Sequence, residues 1–141
     1  MKKIYAPFIL LSFMLLNGCS KDVLKRYDNR IIGTWRITDV NRIGIGGDRD
    51  KLPFSDGTFT FAEDGSLTYV NTANISFKGR WEIVKKIVNS ETTRTLQVTA
   101  VDFTTQQVLA EYYDEINFVG TNHFKTKITS TFRTYVTHFY R

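Results

Sequence analysis

Cysteine is nearly missing from this 141-residue chain: Cys19 stands alone. Histidine is scarce too, and the spacing of His123 and His138, the only two, suggests no metal pair. Neither Ser90 nor Ser130 lies in the Gly-x-Ser-x-Gly elbow of a hydrolase nucleophile. Gly44-x-Gly46-Gly47 lacks the following helix that a phosphate-cradling loop requires, so these glycines read as a flexible loop. Asp114 and Glu115 are neighbours, and neighbours on a strand face opposite ways, so they form no carboxylate pair. No catalytic residue, metal or cofactor is therefore expected, and the chain reads as a non-enzyme. Proline is rare, with Pro7 and Pro53 the only two. A bilayer-spanning run is also missing: a span takes about 20 apolar residues, and the stretch from Ile4 to Leu16 is too short.

That stretch nevertheless has a clear context. Lys2 and Lys3 precede it, and Leu15-Leu16-Asn17-Gly18-Cys19 closes it, the layout of a bacterial secretory signal. Small Gly18 directly before the sole cysteine resembles the lipobox of bacterial lipoproteins. The resemblance implies that residues 1–18 are cut away and that diacylglycerol is joined to the Cys19 thiol. Cys19 is then a membrane anchor, which leaves no thiol for a disulfide, a metal or catalysis. Ser20 after the cysteine resembles the sorting pattern of outer-membrane lipoproteins, so the expected location is the outer membrane of the cell envelope. Residues 19–30 read as the lipidated terminus and tether. Removal of the leader takes two of the 19 basic residues and leaves 17 against 14 acidic ones, a formal charge of +3. That is mildly basic, and no nucleic-acid partner is expected. Lys21, Lys25, Arg26 and Arg30 are either a stretch attracted to anionic headgroups or a solvated tether diluted by Asp22 and Asp28.

From Ile31 onward the chain reads as strands. Phe59 and Phe61 flank Thr60; Leu67 and Tyr69 alternate with Ser66 and Thr68; Phe77, Gly79, Trp81 and Ile83 alternate with Lys78, Arg80 and Glu82. The same period of two continues through Leu96, Val98 and Ala100, through Ile116 and Phe118, and through Phe124, Thr126 and Ile128. Eight strands are expected, at about 33–40, 57–61, 66–71, 76–87, 94–103, 108–118, 123–129 and 131–140, with a helical stripe only over 22–27. Short turn signals such as Glu63-Asp64-Gly65 and Asn89-Ser90 favour an antiparallel up-and-down meander. Closing it into a barrel would remove the edges that invite aggregation. The one long connection, Asn41 to Asp56, is either a lid over a cavity, with Phe54 of its Leu52-Pro53-Phe54 cluster folding over the open end, or a plain disordered insertion.

Ile32-Gly33-Thr34-Trp35 opening the first strand, the Phe61-Ala62-Glu63-Asp64-Gly65 hairpin and Gly79-Arg80-Trp81 together resemble the small lipocalin-like domain of Bacteroidota lipoproteins. The similarity covers residues 31–141. It implies an eight-stranded calyx, from which this sequence departs in two ways: residues 31–141 are fewer than in secreted lipocalins, so a narrow calyx is expected, and the helix that flanks larger lipocalin barrels is not expected. It also implies a structural signature of Gly33, Trp35 and an arginine from the last strand packed over that tryptophan; Arg141 fits by position. Aromatic residues make up 14% of the chain, and this is the one functional hint. Phe59, Tyr69, Phe77, Trp81, Phe118 and Phe124 either line a cavity for a small hydrophobic ligand or fill the barrel solidly. In the second case the expected role is that of an interaction or structural module engaging a protein or a glycan.

Overall fold

The computed structural model describes residues 26–45 and 52–141. The expected leader 1–18, Cys19, Lys21, Lys25 and positions 46–51 of the connection after the first strand lie outside the described residues. A short helix, α1 (Tyr27–Ile31), precedes nine strands: β1 (Gly33–Gly44), β2 (Thr58–Phe61), β3 (Ser66–Val70), β4 (Ser76–Val88), β5 (Glu91–Val101), β6 (Val108–Tyr113), β7 (Glu115–Phe118), β8 (His123–Ser130) and β9 (Arg133–Tyr140). All pair antiparallel in one sheet, in the order β6-β5-β4-β3-β2-β1-β9-β8-β7. The protein is all-β, as the period-two patterning predicts.

Three expectations need correction. The sixth expected strand, 108–118, is two strands interrupted at Asp114. Its inward residues change phase there: Leu109 and Tyr113 are odd-numbered, whereas Ile116 and Phe118 are even-numbered. An unbroken strand cannot bury both sets, so one extra residue must intervene. As a result the hydrogen-bonded ladder runs from β6 to β7 as one open sheet rather than a closed ring. Those two end strands are consecutive in the chain; β7 also packs beside β5, and β6 beside β8. The first strand runs past Val40 to Gly44, because Asn41 to Gly44 pair with β9 instead of opening the loop. It also changes phase, with a register shift between Ile37 and Asp39 that lets Trp35, Ile37 and Val40 all be buried. Of the helical stripe expected over 22–27, positions 22–25 lie outside the described residues; a helix occupies Tyr27–Ile31, and Tyr27, in the expected tether, packs against the core near fully buried Ile31.

The meander defines two ends. At one, here called the base, lie α1, the start of β1, the end of β9 and the β2–β3, β4–β5 and β7–β8 turns. The far end holds the β3–β4, β5–β6 and β8–β9 turns and the connection from β1 to β2. The strands are strongly offset: β1 pairs with β2 only as far as Arg36, yet continues along β9 to Gly44. Likewise β4 pairs with β3 only up to Arg80, then continues with β5 alone to the Val88–Glu91 pair. That ribbon turns over Asn89 and Ser90, both with positive φ, as a two-residue hairpin requires. Gly79 is the residue that lets β4 and β5 approach. A Cβ there would stand 1.8 Å from the Thr99 carbonyl oxygen, so no side chain fits.

Candidate functional site

About half of the buried strand residues carry aromatic rings, and most of these rings touch one another. Phe59 on β2 lies 5.3 Å from Phe54, 4.7 Å from Tyr69 and 5.5 Å from Phe139, centroid to centroid. Phe124 on β8 stacks on Phe139 at 4.4 Å and meets Trp35, Phe61 and Phe118. Trp81 stands edge-on to Phe61, and Phe77 lies 5.6 Å from Tyr69. Five of the six residues expected to line a cavity are buried; Phe118, at the base, is half-buried. Edge-to-face and offset contacts of this kind add about 0.5–1.5 kcal/mol per pair beyond their buried area. Phe54 is only 1% exposed and points inward onto Phe59 and Tyr69, fixed edge-on to both.

Polar atoms inside this cluster are few. Tyr69 donates its hydroxyl to Asp56 at 3.2 Å, and Thr72 donates to the same carboxylate at 2.7 Å. Burial pushes the Tyr69 hydroxyl and the Glu111 carboxyl on β6 above their ordinary pKa values. Two buried hydroxyls, Tyr113 Oη and Thr126 Oγ1, have no hydrogen-bond partner among the described residues. Sequence reasoning overlooked Tyr113, because its inward phase is hidden by the break at Asp114. Among the described residues no group of three or more His, Cys, Asp or Glu side chains is placed to hold a metal ion.

The base is closed differently. Trp35 is fully buried and donates from Nε1 to the Ile31 carbonyl at 2.6 Å, which ties α1 to the first strand. The Arg141 guanidinium lies 4.2 Å from the Trp35 ring and donates to the Arg30 and Ile32 carbonyls. Gly33 has φ +123° and leaves 3.3 Å between a would-be Cβ and the Arg141 guanidinium, so a glycine there serves both the backbone and the cation. Gly33, Trp35 and Arg141 are thus one assembly. Arg141 follows the last residue of β9, whereas Arg133 begins that strand and pairs with Gly44 at the far end.

On the outer face of β8 and β9, His123 Nε2 and His138 Nδ1 are 3.0 Å apart, and His123 stacks on Tyr140 at 4.2 Å. Partial burial, then His138 and then Lys125, hold His123 below the usual histidine range. The unfolded chain titrates this group near pH 6.5, so just below that pH it binds more protons than the fold does. Stability is therefore expected to fall as pH drops through about 6.5 and to stop falling once the folded pKa is passed. Urea denaturation at pH 7.5 and 5.5 checks this, and His123→Asn should flatten the difference.

Compared with known family models, curated proteins and solved structures, the chain has no match.

Proposed function

We propose that this protein is an envelope lipoprotein anchored in the outer membrane through lipid on Cys19. Its sheet acts as a lipocalin-like barrel with its seam at Asp114, and the interior takes one small hydrophobic molecule that carries a polar group. The supporting observation is the pair of buried, unpartnered hydroxyls, Tyr113 Oη and Thr126 Oγ1, within a wall of rings. Leaving such a group unpaired costs about 1–3 kcal/mol, and a polar group on a ligand offsets that cost. Phe54 occupies the far end on a segment outside the strands, so its withdrawal from Phe59 and Tyr69 is the way in.

Titration of the full chain in detergent with paired fluorescent probes, one a plain hydrocarbon and one bearing a hydroxyl, tests this reading. The wild type should prefer the hydroxylated probe, Tyr113→Phe should lose that preference, and Phe54→Ala should take up both faster. If neither the wild type nor Phe54→Ala binds saturably, the interior is solid. The second reading then takes over: a module that engages a protein or glycan through its far end, where Ile45 and Phe132 are 88% and 78% exposed. The anchor has its own test. Cys19→Ala should abolish palmitate labelling and leave uncleaved precursor; labelling that persists would sink the lipoprotein reading without touching the barrel.

A further inference from the structure

The β4–β5 ribbon projects from the base and leaves a cleft of about 510 Å³ between itself and α1, lined by Arg26, Tyr27, Asp28, Ile83, Val84, Lys85 and Arg94. Three cations face it and one carboxylate. Lys85 and Arg94 are directly opposite each other across the two strands, where like charges destabilise a sheet. Tyr27 offsets part of that repulsion, since the Arg94 guanidinium lies 4.0 Å from its ring. Among the described residues no ion pair joins Arg26, Lys85 or Arg94 to a carboxylate. Beyond the cleft, toward the turn, Ile87 is 78% exposed on the same strand as Lys85 and Lys86.

The position of this feature gives it a meaning. Arg26 begins the described chain at the base, and only seven peptide steps separate it from Cys19. Fully extended, they reach at most about 25 Å, so a lipid on Cys19 holds the base close to the membrane. We propose that the base is a second membrane contact: the cleft takes the phosphate of an anionic phospholipid between Arg26, Lys85 and Arg94, while Ile87 enters the interfacial layer. The inference rests on the lipid-anchor reading for its placement. A cationic cleft beside an exposed apolar side chain matches an anionic lipid surface on both counts.

The lipidated full chain carrying Ile87→Cys tests it, because the Cys19 thiol would be acylated and position 87 would hold the only free thiol. A fluorophore there should be quenched by nitroxide-bearing lipids in vesicles containing phosphatidylglycerol, and several-fold less in pure phosphatidylcholine. The same fluorophore at Phe132→Cys, on the far end, should stay unquenched. Lys85→Gln combined with Arg94→Gln should remove the phosphatidylglycerol dependence while the protein stays on the vesicles. Equal quenching in both lipids, no quenching at position 87, or stronger quenching at position 132 would overturn the proposal.

Protein that fails to float with vesicles and carries no acyl mass would sink the anchor reading instead. The cleft is then read by titrating the full chain with short-chain phosphatidylglycerol, followed by NMR at the Arg94 side chain. Each basic group near an anionic surface contributes about a fivefold factor, so the double variant should bind roughly 25-fold more weakly. No saturable shift, or inorganic phosphate binding as tightly as the lipid, would overturn the cleft assignment.

Discussion

Trp35→Ala is expected to remove about 3–5 kcal/mol of stability, the range for a fully buried large aromatic. A domain of this size holds only about 5–15 kcal/mol in all, so the midpoint of urea denaturation should fall by a large fraction. The melting temperature should drop by more than about 10 °C. The loss has three physical parts. The ring leaves a cavity beside Phe124, which it meets edge-on at 4.7 Å. The Ile31 carbonyl, buried with its residue, loses the indole N–H that satisfies it. The Arg141 guanidinium loses the face it lies over and keeps its bonds to the Arg30 and Ile32 carbonyls. Trp35→Phe separates these parts, since it keeps most of the packing and removes the hydrogen bond. A melting temperature unchanged by Trp35→Ala would mean that the tryptophan does not hold the base together.

Phe124→Ala should have an effect of the same size, about 3–5 kcal/mol, for a different reason. Phe124 forms no hydrogen bond through its side chain, but it is the common neighbour of Trp35, Phe61, Phe118 and Phe139. Removing it loosens four contacts at once and opens the centre of the interior. Near-ultraviolet circular dichroism should lose intensity while the far-ultraviolet spectrum keeps its β signature. Because Trp35 and Phe124 touch, the double variant should be less destabilised than the two single losses added together, by about 0.5–1.5 kcal/mol. Simple addition of the two losses would show that the pair contributes nothing beyond burial. A loss below about 1 kcal/mol at Phe124 would show that the neighbouring rings collapse into its place.

The strands were legible because nearly every one buries a single face, and period two survives in the sequence wherever a strand is straight. The starts of β1, β3, β4 and β8 fall where the alternation places them. What was hidden lies at two changes of phase. From Trp35 and Ile37 to Val40, and from Leu109 and Tyr113 to Ile116 and Phe118, the buried set switches from odd to even numbers. A switch of that kind demands an extra residue in the strand, and both could have been read from the sequence by testing parity. The inward placement of Phe54 could not: it depends on Phe59 and Tyr69, which neighbour it only after folding. The cationic cleft was equally hidden, because the Lys85–Arg94 pairing follows from the ribbon's register rather than from either residue's neighbours in the chain. Tyr113 was missed for the same reason as the break beside it.

The offset between strands also dictates an order of events in time. The β4–β5 ribbon joins residues close in sequence through a two-residue turn, and such a hairpin forms in about 1–10 μs. The β1–β9 ladder instead brings Arg36 against Tyr140 and Ile37 against Phe139, contacts between opposite ends of the chain. Their loop-closure entropy is the largest in the sheet, and a fold dominated by such pairings reaches its native state in milliseconds to seconds. The rate-limiting step should therefore be the capture of β9 by β1, with the ribbon formed beforehand. Destabilising substitutions near the β4–β5 turn should then slow refolding, because the ribbon is already formed when β9 is captured, whereas equal losses in contacts made after that capture should mainly speed unfolding. Half-made chains, with β9 still to come, would expose one side of β1 as an unpaired edge, the stage at which this sequence is most open to aggregation.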